Sequence, residues 1–332
     1  MSYTLLIEVA DKTYNMDFHC RFMLKPVDDI RIRPGITVSE LIEQMRHGGG
    51  FTALYLGKSV EVLREMIKDT ECVKFLSFVG APIGTGLRGV ITELIREKLF
   101  DVVITTCGAL DHDIARSLRE YYEGDFWMDD EELRKRGYHR LGCVLIPLEN
   151  YGPTIEKFIQ ELLEEEYSRG LREVCSSDIA YLIGKKIEDE NSFLKNAAEN
   201  NVPVFIPGIL DGAVGTQIWF FQQKHRDFKL NLLRDFDKLS EIIFNAKRSG
   251  ALMIGGGISK HHVLWWNQFK DGLDYAVYIT TGYEYDGSLS GATVREAVSW
   301  GKVKPEAKKI TIHGDATIIL PLIASALITS NE

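Results

Sequence analysis

A carboxylate, an indole and a primary amine stand close together in Glu296-Ala-Val-Ser-Trp300-Gly-Lys302. The pattern over 291–300 predicts a short amphipathic helix in which Glu296 and Trp300, four apart, share a face. Gly301 suits the left-handed position that ends helices, so Lys302 leaves on a fixed turn. A lysine held against an indole is poorly hydrated. Burial disfavours its ammonium form and leaves the neutral amine that attacks an electrophilic carbon. The same residues also suit a plain helix end, with a packed ring and a cation answering the helix dipole. Spacing alone does not choose between these.

His261 and His262 follow Gly255-Gly256-Gly257 at the start of a predicted helix that continues through Trp265 and Trp266. One histidine there reads equally as a cap or core residue, and the tryptophans as core or an aromatic pocket wall. His112 and His313 add no recognisable ligand spacing. The five cysteines (Cys20, Cys72, Cys107, Cys143, Cys175) form no Cys-x-x-Cys pair. The expectation is no metal and no disulfide framework.

The elements that must position these residues alternate. Apolar runs at 73–79, 101–106, 142–146, 202–206, 251–254, 273–280 and 309–312 read as strands. Between them, 86–98, 111–122, 154–169 and 239–248 read as helices. This alternation predicts an α/β fold with a parallel sheet covered on both faces, and ligands beyond its carboxyl ends. The residues following the strands fit that expectation. They are Thr106-Cys107-Gly108 with Asp111, Gly208 with Asp211-Gly212, Gly255-Gly256-Gly257, Thr281-Gly282 with Asp286-Gly287-Ser288, and Gly314-Asp315-Ala316. Glycines admit close backbone approach, helix N-termini favour phosphate, and Asp accepts ribose hydroxyls. No single turn is specific; their recurrence predicts a dinucleotide crevice.

The chain has 332 residues, 45% hydrophobic and 26% charged, enough for two domains or one large α/β unit. A net charge of -9 argues against nucleic acid and suits cationic ligands such as polyamines or a lysine-bearing loop. No apolar run reaches membrane-spanning length and no signal-peptide pattern is evident, so a cytoplasmic protein is expected. Residues 1–25 read as an N-terminal extension, with 3–9 alternating like an edge strand and Met23 an alternative start. Residues 26–70 read as a helical segment broken at Gly48-Gly49-Gly50, and 71–332 as the nucleotide-binding catalytic domain. The run Glu164-Glu165-Glu166 reads as a solvated helix face.

Taken with Gly255-Gly-Gly-Ile-Ser-Lys-His-His262, Asp271-Gly-Leu-Asp-Tyr-Ala-Val-Tyr-Ile-Thr280 and Asp286-Gly-Ser288, the Ser-Trp-Gly-Lys segment resembles the deoxyhypusine synthase family, in archaeal style. The resemblance runs from about Pro26 onward, about nine-tenths of the chain. It implies a Rossmann-like fold, NAD as cofactor, and a homotetramer with active sites at dimer interfaces. It also implies transfer of the aminobutyl group of spermidine, through an imine on Lys302, to a lysine of the hypusine-containing translation initiation factor. His261 matches the proton-transfer residue, and Glu296, Trp300, Tyr278, Asp111, Gly287 and Ser288 the amine site. Gly80, Gly84, Thr106, Cys107, Gly108, Asp211, Gly256, Thr281, Gly282, Asp315 and Ala316 match the cofactor side. An N-terminal helix plugging a neighbouring site is a further family implication.

Several positions depart from the family pattern. Thr216 and Leu289 replace acids, Trp265 a pocket asparagine, and His112 the second acid of a pair. The early serine-rich loop is Gly80-Ala-Pro-Ile-Gly84. A charge-assisted hydrogen bond from a polyamine ammonium to an acid is worth about 1.5–3 kcal/mol, so each replaced acid weakens that binding. Either Asp111 or Glu284 compensates, or the chain uses another amine donor or a small-amine acceptor, as homospermidine synthases do. A non-catalytic NAD-binding tetramer is the third reading, opposed by the retention of Glu296, His261, Trp300 and Lys302. Pyridoxal phosphate on Lys302 lacks evident companion residues.

Overall fold

The computed structural model describes residues 25–328. The expected strand at 3–9 and the alternative start at Met23 lie outside the described residues. Six parallel strands form the central sheet: β1 (Cys72–Phe78), β2 (Val102–Ile104), β3 (Val204–Phe205), β4 (Arg248–Ile254), β5 (Leu273–Thr280) and β6 (Val303–His313). Their spatial order is β6-β5-β4-β1-β2-β3. Chain order therefore runs outward in both directions from the β4/β1 pair, which makes that pair the switch point of the sheet.

Alternation along the strands explains why both faces are covered. Leu76 and Phe78 of β1, Leu252 and Ile254 of β4, and Val277 and Ile279 of β5 enter one buried cluster. Phe75, Ala251, Met253, Ala276 and Tyr278, from the same strands, enter the other. The first cluster also takes Leu56, Val60, Leu63 and Met66 from the Phe51–Lys68 helix, so the N-terminal helices share the core of the sheet. Thr37 starts the preceding helix, Val38–His47, through a capping box with Glu40. The break between the two helices falls at Gly48–Gly50, where Gly49 has φ +62.

Three expectations need correction. The 142–146 strand does not join the parallel sheet. Gly142, at φ +59, lets the chain double back between Tyr138–Leu141 and Val144–Pro147, which form a three-stranded antiparallel sheet with Tyr122–Glu123. The 239–248 helix instead spans Leu233–Asn245, because Asn231 Oδ1 accepts the Leu233 N–H and starts it earlier. Its expected last residue, Arg248, opens β4 and is held by Asp69. The last strand begins at Val303 rather than 309, its polar 304–307 stretch bulging between the partners of Leu273 and Tyr275. Among the described residues no helix is long and apolar enough to cross a membrane.

Candidate active site

Lys302 is fixed by its backbone. Gly301 has φ +66, as the turn requires, its N–H reaches Val298 O at 3.0 Å, and the Lys302 N–H reaches Ala297 O at 3.0 Å. The Lys302 carbonyl accepts the Leu273 N–H of β5 at 3.1 Å. Lys302 thus immediately precedes β6, beside the first residue of β5 at the amino end of that strand, and does not follow a strand. Its Nζ is 5.2 Å from the Trp300 ring and 5.9 Å from the Trp265 ring. His261 stacks on Trp265 with centroids 6.0 Å apart. One helix, Ile258–Asn267, therefore supplies both the histidine and one indole wall. Burial, reinforced by the charges of Lys302 and Lys260, pushes the His261 imidazole below its ordinary range, which leaves it a proton acceptor at neutral pH.

The helix expected over 291–300 is only Glu296–Ser299. The turn before it is claimed by side chains: Ser290 O accepts Tyr278 Oη at 2.7 Å and Thr280 Oγ1 at 2.9 Å. Lys260 Nζ donates to Leu289 O and, at 2.6 Å, to Ala292 O. With those carbonyls committed, no earlier helical turn forms. Glu296 and Trp300 remain exposed, Trp300 by 66%.

Sequence pattern alone does not mark Lys260 as a site residue. It is buried, stands 4.2 Å over the Tyr278 ring, and its ammonium is pushed down to about 8 by burial, with Glu296 opposing and Lys302 reinforcing. The signal that could have found it is its phase: Lys260 shares the buried helix face with Val263, Leu264 and Asn267. Tyr278 also needs correction. It is fully buried and its hydroxyl holds the turn at Ser290 O, so in this chain it presents no exposed surface.

The cofactor-side residues gather at the carboxyl ends of the strands. Gly80 follows β1 and Gly255–Gly257 follow β4, flanking the switch point. A Cβ on Gly80 would stand 2.8 Å from the Gly108 carbonyl carbon, so two loops cross there on bare backbone. Thr106 is the N-cap of Cys107–Leu118 and Gly257 that of Ile258–Asn267, and neither helix start has a side-chain cap. Two uncapped N-termini beside a switch point fit a pyrophosphate-bearing dinucleotide such as NAD. Asp211 and Thr281 are exposed on this edge, as is Asp315, whose Oδ1 caps Thr317 beside Ala316.

Other residues expected on the cofactor side are differently engaged. Gly256 and Gly282 make room for the chain itself, since a Cβ on either would strike Ser290, at 2.3 Å and 2.7 Å. Gly84 is pressed against Leu141, with His112 behind it. Asp111 is the clearest departure from expectation. It is buried, and its carboxylate accepts the Ala213 and Val214 N–H groups at 3.0 and 2.9 Å and Tyr151 Oη at 3.2 Å. It caps the Ala213–Lys224 helix and has no carboxylate oxygen free for an amine. Cys107 lies against it, Sγ 3.8 Å from Oδ1. Gly287, at φ +71, and Ser288 form the exposed Asp286 turn, with Ser288 N–H on Asp286 Oδ1 at 2.7 Å. Among the described residues no cluster of three or more His, Cys, Asp or Glu is placed to hold a metal.

A glycine-lined switch point in an open parallel sheet, with an amine-bearing cleft on one flank, defines a Rossmann-like α/β protein. A deoxyhypusine synthase family model matches residues 40–327. A relative from Thermoplasma acidophilum, described as a probable deoxyhypusine synthase, is 51% identical over 90% of this chain and 96% of its own. One from Picrophilus torridus, described likewise, is 52% identical over 91% and 96%. A solved structure described as a putative deoxyhypusine synthase from Entamoeba histolytica gives a TM-score of 0.60 at 20% identity, covering 89% of this chain and 94% of its own, which speaks to the fold. This chain belongs to the deoxyhypusine synthase family, a family of transferases.

Proposed function

We propose that the chain transfers the aminobutyl group of spermidine to a lysine of the hypusine-containing translation initiation factor, with NAD as cofactor and Lys302 as covalent carrier. The observation that carries this reading is the Lys302 amine between two indoles with a neutral histidine on the same wall. NAD, held by the glycine turns after β1 and β4 and the two uncapped helix starts, would supply the hydride acceptor for the amine carbon and the hydride for the final reduction. Lys302 adds to the oxidised carbon and diaminopropane leaves, so one C–N bond forms as another breaks. His261 accepts and returns the proton that each amine addition and departure moves. Trp265 and Trp300 keep water from the Lys302 imine, which would otherwise hydrolyse. Glu296 pairs with an ammonium of the donor.

The exposed apolar residues Trp265, Phe269, Trp300 and Leu289 surround this cleft. That surface supports a second subunit closing the site, in a homotetramer. The cytoplasm is the compartment where such a factor is met.

Incubation with NAD and labelled spermidine, then borohydride, tests the reading by mass mapping. Label is expected on Lys302 and, when the factor is present, on the factor. A protein that binds NAD but takes no label on Lys302 excludes the covalent route and favours a non-catalytic role. A second reading, a different donor or a small-amine acceptor, is favoured by one observation. Leu289 and Trp265 are exposed at positions where the family pattern has an acid and an asparagine, and Thr216 Oγ1 is spent on Gly212 O at 2.9 Å. Discharge of labelled Lys302 by a diamine alone, and not by the factor, would establish it.

A further inference from the structure

Lys260 is 2% exposed on the inner face of the Ile258–Asn267 helix. A buried ammonium is costly unless its donors are matched. Among the described residues its hydrogen bonds go to carbonyls, Leu289 O and Ala292 O, and not to a carboxylate. Between those two, Ser290 O is taken by Tyr278 and Thr280. One helix and one strand thus hold three carbonyls of a single turn. Beneath it the backbone at Gly256 and Gly282 leaves no room for even a methyl group, so the turn is seated against the sheet edge.

We propose that Lys260 is a positioning residue for the transfer reaction: by capturing the Leu289 and Ala292 carbonyls it seats residues 287–292 across the carboxyl ends of β4 and β5, and so sets the wall of the amine pocket that Gly287 and Ser288 form. The inference rests on the proposed reading of this cleft as the amine site. Charge-assisted bonds to neutral carbonyls are stronger than neutral ones, so the tie depends on the ammonium. The groups facing it are Glu296 from the short helix that follows, Lys302 from the start of β6, His261 from its own helix and Tyr278 from β5, with Asp286 at the head of the turn. Burial pushes Lys260 down to about 8, against Glu296 and with Lys302. Below pH 8 the seated amine is the ammonium, so at neutral pH both carbonyls receive charge-assisted bonds.

Hydrogen exchange tests this directly. At pH 7, protection of peptides covering 284–294 should fall at least tenfold in Lys260→Met relative to the unmodified protein, while 273–280 holds. Equal protection of 284–294 in the two proteins overturns the proposal. In the labelling assay with NAD and spermidine, Lys260→Met should raise the half-saturating spermidine concentration at least fivefold. Lys260→Gln, which keeps an N–H donor, should raise it less. A loss confined to the saturated rate, or an unchanged half-saturation, contradicts a positioning role. Absence of Lys302 label in the unmodified protein would defeat the nucleophile assignment instead, and the exchange result would still decide the tie.

Discussion

Arg88 and Lys260 are both buried cations, and the protein completes only one of them. Arg88 meets Asp113 at 2.6 Å, Asp189 at 2.8 Å and Ser117 Oγ at 2.6 Å, in a network that also ties down Ser192 and Leu194 through Asp113. Every charge there has a partner, and the network joins the Leu87–Arg96 and Cys107–Leu118 helices to the start of Phe193–Asn200. Lys260 has carbonyls and an aromatic face, and the acid that acts on it, Glu296, is exposed and makes no ion pair with it. A closed network holds helices together. A cation bound to carbonyls instead of a carboxylate ties a turn to the sheet edge.

The comparison breaks or sharpens under substitution. Lys302→Ala should lower transfer about 1000-fold or more, by removing the nucleophile, with unchanged melting and NAD binding. Turnover near the original level would void the assignment. Arg88→Met should cost about 3–5 kcal/mol of stability, because Asp113 is left buried without its cation; a chemical-denaturation midpoint close to the original would show that the network is dispensable. Glu296→Gln should weaken spermidine binding by about 1.5–3 kcal/mol and NAD little. A variant that lost NAD instead would place the pocket the wrong way round. Lys260→Met should match or exceed the original melting temperature at pH 7, the opposite of Arg88→Met. The reason is linkage: the folded ammonium is held near 8 against an ordinary 10.5, so its charge opposes folding below 8 and stops doing so above 10.5. Equal destabilisation by the two methionines would erase the contrast.

Neutral buried bases form a third kind. Burial pushes His112 and His262 down to about 4. Their contribution to stability is complete above about pH 6.5 and disappears as pH falls towards 4, since the unfolded chain takes up two protons that the folded chain refuses. Denaturation midpoints measured from pH 7 to 4 should fall accordingly, and less steeply in His112→Gln.

Elements of the sheet are legible wherever apolar runs have a clean end. The 273–280 strand is readable with its full bounds because Gly272 and the Thr-Thr-Gly turn bracket it. The start of β6 is hidden, since Lys-Pro-Glu-Ala-Lys-Lys carries no strand pattern and pairs only through a bulge. Gly301 and the carboxyl-edge turns can be placed from glycine alone. Asp111 cannot, because its partners lie about a hundred residues away, on the helix starting at Ala213. The 291–300 helix misleads for a related reason. Local periodicity favours it, but Lys260, Tyr278 and Thr280 reach across from elsewhere in the chain to claim its first carbonyls.

Gly301 has a consequence for chirality. Its φ of +66 has open space around it, so the obstacle to a side chain there is handedness, not crowding. Installing L-alanine by chemical ligation should swing the adjacent amine off its indoles, whereas the mirror-image alanine should leave it where it stands.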